Sequence, residues 1–149
     1  EAAVSRAEWP ARMQRLRVGP LVDVAPEAEI WLDGGHNPAA GTALANHLAG
    51  LPPRQTFLVC GMLNTKDVSG YLSPLASVTE GLTALSIPGE ANTLTAEATA
   101  TAARACGMMA ETAESASEAL SRLAAHTPKA RILICGSLYL AGHVLRETA

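Results

Sequence analysis

The chain contains very few aromatic residues: they account for 3% of its 149 residues, whereas hydrophobic residues account for 48%. Its core must therefore consist of Leu, Ala, Val and Ile, which suits helices packed on a sheet better than an aromatic-rich β-sandwich. There is also no excess of positive charge, because the formal net charge is -3. Such a chain offers no basic face to nucleic acid, and its length fits a single domain.

Cysteines and long apolar runs are scarce as well. The three cysteines, Cys60, Cys106 and Cys135, have neither the spacing of a disulfide framework nor that of a metal site. Cys60 and Cys135 end apolar strand patterns, which favours buried, reduced thiols. No apolar run is long enough to span a bilayer, and no signal-peptide pattern opens the sequence. We therefore expect a cytoplasmic protein that does not associate with membranes.

Several catalytic signatures are missing from the sequence. It contains no Walker A motif, and no G-x-G-x-x-G follows a predicted strand, so the chain lacks the usual means of cradling a triphosphate by itself. No serine nucleophile elbow is present. The histidines lack the spacing of zinc ligands, and we predict no metal site in the chain. His47 and His126 are expected at a helix surface or helix end, His143 is ambiguous, and His36 belongs to a turn described below.

Apolar strand patterns alternate with helical patterns through most of the chain. Strands are predicted over residues 29–32, 56–60, 82–87 and 131–135, after a short hairpin of residues 14–18 and 21–24 around Gly19-Pro20. Helices are predicted from 38 to 50, from 67 with a kink or an early end at Pro74, over 96–106, over 115–126 behind a capping box, and from 138 onward. This alternation predicts an α/β fold of three layers, with a mainly parallel twisted sheet between helices.

Three of the predicted strands end in polar turns. Right-handed crossovers place these turns on one edge of the sheet, where ligands of α/β proteins bind. The first turn holds a carboxylate and an imidazole at a helix N-terminus, which suits a phosphate. Taken singly, each of these residues also has an interpretation without a ligand. Asp33 can cap a helix, Lys66 can be a solvated lysine, Tyr139 can serve in packing and Arg12 can be a surface arginine. The three turns are residues 33–37, 64–67 and 136–139.

Four segments occur in an order that resembles a known family, the C-terminal domain of bacterial folylpolyglutamate synthase/dihydrofolate synthase of the Mur ligase superfamily. The resemblance extends from Trp9 to the end, and we interpret residues 1–149 as one Mur ligase C-terminal domain with a Rossmann-like sheet. Ala11, Gln14 and Gly35 depart from the usual family residues Gly, Glu and Ala. The segments are Trp9-Pro10-Ala11-Arg12, Leu32-Asp33-Gly34-Gly35-His36-Asn37-Pro38, Gly61-Met62-Leu63-Asn64-Thr65-Lys66-Asp67 and Gly136-Ser137-Leu138-Tyr139-Leu140.

The resemblance implies an ATP-dependent ligase. Such enzymes phosphorylate a carboxylate of dihydropteroate or of a folate with ATP, and the amine of L-glutamate then attacks the acyl phosphate. The P-loop and the ligands of Mg²⁺ would belong to an N-terminal ATPase domain that this chain does not contain. We therefore expect ATP and Mg²⁺ as cofactors of the whole enzyme, the N-terminal domain as partner, and no activity from the chain alone.

The resemblance also implies roles for individual residues. Arg12, His36 and Lys66 are the expected catalytic residues. Arg12 would meet phosphate charge that grows in the transition state, and Asp33 would accept hydrogen bonds from the ribose. The expected ATP-binding residues are Arg12, Asp33, His36 and Asn37, and the expected glutamate-binding residues are Lys66, Ser137 and Tyr139.

Two other functions stay open at this point. A Mur-type ligase of peptidoglycan precursors shares the fold and the chemistry but adds another amino acid. A nucleotide-binding module without catalysis is the alternative from a different class. The Asp-Gly-x-His-Asn-Pro and Gly-Ser-Leu-Tyr-Leu segments favour the folate branch, and a Walker A motif upstream of the chain would separate a ligase from a module.

Overall fold

The computed structural model describes residues 12–64 and 66–148. Residues 1–11, which include Trp9-Pro10-Ala11, lie outside the described residues, as do Thr65 and Ala149. The described part forms one sheet of six strands. The strands are β1 (Gln14–Leu16), β2 (Glu29–Leu32), β3 (Thr56–Cys60), β4 (Gly81–Ala84), β5 (Ala110–Thr112) and β6 (Arg131–Cys135).

Helices connect the strands and cover the sheet. The second polar turn, residues 64–67, is followed by a short α-helix over Val68–Leu72, and a 3-10 helix over Ser73–Val78 continues that helix. Among the described residues, no helix has the length and apolar character needed to cross a membrane. The α-helices are α1 (Pro20–Val24), α2 (Pro38–Ala49), α3 (Val68–Leu72), α4 (Ala96–Ala105), α5 (Ala116–His126) and α6 (Leu138–Thr148).

The sheet is mainly parallel, in the order β1-β2-β6-β3-β4-β5. Strand β6 lies between β2 and β3, and all five of its residues are buried, as its continuous apolar run predicts. Leu32 is level with Ile134, and Cys60 is level with Cys135. Strands β2, β6 and β3 therefore end side by side, and the turns that follow them meet at one edge. The predicted fold class is confirmed.

Each face of the sheet has its own core. Successive residues of β6 point to opposite faces, so Ile132 and Ile134 join one cluster while Leu133 and Cys135 join the other. Helices α1, α5 and α6 pack on the first face, and α2, α3 and α4 on the second. The sheet is thus enclosed between two helical layers.

The predicted hairpin before β2 is wrong in its second half. Gln14–Leu16 is a strand, but it pairs antiparallel with β2, and residues 20–24 form helix α1. Gly19 has a φ of 115°, which turns the chain, and Pro20 lies in the first turn of the helix, where its missing N–H costs nothing. Burial of Leu21 against α5 then outweighs the strand preference of the neighbouring valines.

The structure adds one strand to the predicted elements and decides how the helix that contains Pro74 ends. Strand β5 was not predicted, because three residues at the sheet edge, paired only with β4, carry too little pattern. Pro74 was predicted to kink or shorten its helix. It shortens it: α3 ends at Leu72, and the 3-10 helix takes over with Pro74 in its first turn.

The edge opposite the three turns is held by a cluster of ion pairs around Glu29. Its carboxylate lies 3.1 Å from Arg131, 3.2 Å from Arg54 and 3.9 Å from Arg15. The Arg131 side chain is almost fully buried and also donates to the carbonyl oxygen of Pro52 at 2.9 Å. These contacts join the beginnings of β2 and β6 to the segment before β3.

Candidate functional site

Asp33 is the first residue after β2 and anchors the turn that follows. Its Oδ1 accepts a hydrogen bond from the Met13 backbone N–H at 2.8 Å, and its Oδ2 accepts one from the Gly35 N–H at 2.9 Å. Burial raises the pKa of the Asp33 carboxyl, against the opposing effects of these hydrogen bonds and of the nearby Arg12 and His47. The carboxylate therefore ties the segment containing Arg12 to the turn.

The glycines of this turn allow close packing. A Cβ on Gly34 would lie 2.5 Å from a side-chain carbon of Leu138, at the beginning of α6. A Cβ on Gly35 would lie 2.7 Å from the Cβ of Ala40. A side chain at Gly35 would require the beginning of α2 to shift, and one at Gly34 would require the Leu138 side chain to move. With glycine at both positions, the turns after β2 and β6 pack closely.

Asn37 begins helix α2. Its Oδ1 accepts a hydrogen bond from the Ala40 N–H at 2.8 Å, and Pro38 occupies the first helical position. This is the usual arrangement of an N-cap, and it satisfies one of the free N–H groups at the helix end. The side-chain oxygen of Asn37 is therefore engaged in capping. The side-chain nitrogen is the part of this exposed residue that can bind a ligand.

A cleft of about 610 Å³ opens beside this turn. Its size is within the range of small-molecule sites. The four residues predicted to bind ATP all line it, and Arg12 is exposed there. The lining residues are Arg12, Met13, Asp33, Gly34, Gly35, His36, Asn37, Ala39, Ala40, Ala43, Leu44, His47 and Leu138.

A smaller pocket of about 50 Å³ lies next to the cleft. It brings together Lys66, Ser137 and Tyr139, the three residues predicted to bind glutamate. Ser137 is buried, and its Oγ accepts a hydrogen bond from the Tyr139 N–H at 2.9 Å, which caps the beginning of α6. The predicted convergence of the three turns is confirmed, while the roles of their residues stay predictions.

His36 lies between the two cavities and lines both. Its Nδ1 is buried and has no hydrogen-bond partner among the described residues. Leaving such a group unpaired costs about 1–3 kcal/mol.

The turns after β3 and β6 are also in direct contact. Gly136 has a φ of 106°, and a Cβ there would lie 2.7 Å from the Gly61 carbonyl oxygen and 2.8 Å from the Cys60 sulfur. The Gly61 N–H donates to the Cys135 carbonyl oxygen at 3.2 Å. Glycine at both positions thus lets the backbone run close beneath the smaller pocket.

The described residues do not form a metal site. No group of three or more His, Cys, Asp or Glu side chains within residues 12–64 and 66–148 is placed to hold an ion.

The fold and the cleft define a class of protein: a doubly wound α/β domain with a ligand site at the carboxyl edge of its parallel sheet. A family model described as the C-terminal domain of dihydrofolate synthetase matches residues 21–147. The chain belongs to this family. The resemblance found in the sequence is thereby confirmed.

Proteins that are similar to this chain have names that agree with this family. Folylpolyglutamate synthase of Lacticaseibacillus casei is 28% identical over 145 residues, which are 97% of this chain and 31% of the relative. E. coli FolC in complex with DHPP and ADP is 27% identical, with a TM-score of 0.74 over 92% of this chain and 30% of that one. The folylpolyglutamate synthase of Mycobacterium tuberculosis complexed with ADP and AMPPCP is 30% identical, with a TM-score of 0.75 over 92% and 31%. The chain thus spans less than a third of the length of each.

Sequence reasoning missed the second wall of the cleft. The residues concerned are Ala39, Ala43, Leu44 and His47, which lie on one side of α2. Their helical spacing from the turn was visible in the sequence, but alanines and a helical histidine carry no ligand signature of their own. This side of α2 becomes a cavity wall only because the helix packs beside the first turn.

Proposed function

We propose that this chain is the C-terminal domain of an ATP-dependent ligase that joins L-glutamate to dihydropteroate or to folates through an acyl phosphate. The observation that carries this proposal is the large cleft at the turn after β2 directly beside the pocket of Lys66, with His36 lining both. Two relatives that share the fold are complexed with ADP. The folylpolyglutamate synthase relative supports glutamate as the amino acid.

The cleft supports the nucleotide. Arg12 lines the cleft beside the turn, and its charge opposes the rise that burial causes in the pKa of Asp33. The N-terminus of α2 opens onto the same place, and a helix N-terminus favours phosphate. In this arrangement Arg12 stabilises negative charge on the phosphates, and the turn from Asp33 to Asn37 holds the ribose side.

The smaller pocket supports the amino acid. Lys66 provides a cation for a carboxylate of glutamate, and the capped beginning of α6 at Ser137 adds a helix N-terminus. His36 lines both cavities, so we place this residue near the point where the acyl phosphate meets the incoming amine. Holding both reactants side by side accounts for a large part of the rate in such reactions.

The rest of the enzyme is part of the proposal. We place the phosphate-binding loop and the magnesium ligands on an N-terminal domain, since neither is found in the described residues of this chain. Closure of the present domain over that one excludes water, which would otherwise hydrolyse the acyl phosphate.

The test is an assay of the complete synthase. Release of ADP should depend on L-glutamate and on either dihydropteroate or tetrahydrofolate, and a comparison of these two acceptors identifies the physiological one. A complete protein that binds ADP but joins no glutamate to any of these acceptors would argue for a nucleotide-binding module instead.

A further inference from the structure

The large cleft has two chemically different ends. The end at the first turn is polar and contains Asp33 and His36. Further along α2 the cleft is lined by small apolar side chains and by His47. Helix α2 rises 1.5 Å per residue, so His47 lies about 14 Å along the axis from Pro38. The wall between the two ends is made by Ala39, Ala40 and Ala43.

The ring of His47 is held in position by its neighbours. It stands edge-to-face against Trp31, with ring centroids 6.5 Å apart and planes at 75°. Trp31 is fixed in turn: its Nε1 donates to Glu29 Oε2 at 3.1 Å, and the Arg15 guanidinium lies 5.7 Å from its ring centroid. This contact restricts the His47 ring, so binding a ligand against it costs less conformational entropy than binding against a fully mobile side chain.

The polar atoms of this ring are available to a ligand. His47 is exposed, and within the described part of the chain its ring makes the contact with Trp31 but no hydrogen bond. A neutral imidazole offers one donor and one acceptor. The ring at the apolar end of the cleft can therefore exchange hydrogen bonds with the edge of a flat heteroaromatic group.

We propose that His47 is a specificity-determining residue that contacts the base of the nucleotide, with the alanine wall of α2 against the flat face of that base. The inference rests on the proposed nucleotide function. It follows from the order of groups along the cleft, since the charged part of a nucleotide belongs at the helix N-terminus and its base then extends along α2 toward His47.

The test compares ligands with and without a base in the complete synthase. His47→Ala should weaken ADP binding by about three- to tenfold, the effect of one lost hydrogen bond, and should narrow the preference for ADP over GDP. Binding of pyrophosphate and the KM for L-glutamate should not change. His47→Gln, which keeps a donor and an acceptor, should recover part of the ADP affinity.

His126→Ala is the matched control. His126 ends α5 on the other face of the sheet, and its Nδ1 lies 3.2 Å from the Arg122 carbonyl oxygen. This variant should bind ADP as the unchanged protein does. Wild-type affinity for ADP in His47→Ala would overturn the inference while leaving the proposed function intact, and so would an equal loss of ADP and pyrophosphate. Absence of ADP binding by the unchanged synthase would instead refute the proposed function.

Discussion

The Asp33 carboxylate holds the backbone N–H groups of Met13 and Gly35, one on each oxygen. Met13 has a φ of 47°, which is uncommon for a residue with a side chain. The hydrogen bond from its N–H helps to keep it there, and so positions Arg12 next to it. Asp33 therefore supports the cleft through the backbone, in addition to the ribose contact predicted for it.

Replacing this carboxylate should affect folding as well as binding. Asp33→Ala leaves two backbone donors without their acceptor, so the free energy of unfolding should fall by roughly 1–3 kcal/mol. Urea denaturation of the chain measures this directly. Asp23→Ala, which removes an exposed acid from α1, is the control and should be close to neutral. Unchanged stability of Asp33→Ala together with lost ADP binding would show that Asp33 acts only on the ligand.

The two cavities predict that substitutions in one of them affect glutamate and substitutions in the other affect ATP. In the complete synthase, Lys66→Ala should raise the KM for glutamate about ten- to hundredfold, because a hydrogen bond to a charged group contributes roughly 1.5–3 kcal/mol. Arg12→Ala should chiefly lower kcat, since the phosphate charge that Arg12 is predicted to meet grows in the transition state. Direct binding measurements should accompany the kinetics. Equal effects of both variants on ATP and glutamate would show that the cavities act as a single surface.

At the scale of elements, α2 positions the cleft. Asn37 caps its beginning, Leu44 and Leu48 bury one side against the sheet, and the opposite end carries His47. The helix crosses α3 at Gly41, where an added Cβ would collide with the Tyr71 backbone, its carbonyl oxygen first. Because backbone cannot move aside as a flexible side chain does, this crossing fixes the distance between α2 and α3.

Gly41→Ala should therefore be destabilising although alanine is the better helix former. Overpacking of this kind costs about 1–3 kcal/mol, and thermal unfolding of the chain measures it. Gly50→Ala is the matched control: Gly50 follows the same helix with a φ of -89°, and its added Cβ would meet nothing nearer than 3.6 Å. An equal effect of the two substitutions would mean that the crossing at Tyr71 does not restrict position 41.

At the scale of the whole molecule, the ion-pair cluster around Glu29 makes stability depend on pH. Burial alone would raise the pKa of Glu29, but the hydrogen bond from Trp31 and the charges and hydrogen bonds of Arg131 and Arg54 lower it below its ordinary value of 4.5. The folded state thus favours the ionised form. The resulting stability is present above the unfolded pKa and is lost as pH falls through the folded pKa.

Glu29→Gln should flatten this acid dependence. The variant should be less stable than the unchanged chain at neutral pH, because Arg131 is left buried without its carboxylate. The difference between the two proteins should shrink as the pH is lowered below about 4.5. Urea denaturation at a series of pH values measures it, with Glu97→Gln at an exposed ion pair as control. A difference that does not vary with pH would rule out Glu29 as the titrating group.

The chain by itself should fold but not catalyse. The described residues form a continuous sheet with a core on each face, so unfolding should be cooperative. Without a phosphate-cradling loop, no glutamate-dependent release of ADP is expected from these residues alone. Differential scanning calorimetry and the synthase assay check the two halves of this prediction. Folate-dependent turnover by the isolated chain would contradict the assignment of ATP hydrolysis to another domain.

The sequence alone determined the order of the long elements and the place of the site. Continuous apolar runs such as residues 132–135, bounded by turn signals and alternating with helical patterns, are typical of strands buried between helical layers. The polar turns that follow such strands then converge on one edge. The turn residues Asp33, His36 and Lys66 could be named for the same reason. Local chemistry and simple topology suffice for these features.

Tertiary structure alone decided the helix at Pro20–Val24, strand β5 and the shape of the cavities. Local preference is weak in such short segments, so the burial of Leu21 and the open edge of β4 determine what they become. The α2 wall and His47 depend on where α2 lies, and the close contact of Gly41 with the backbone of Tyr71, 30 residues away in the sequence, helps to fix that position. Contacts between residues far apart in sequence leave no local pattern to read.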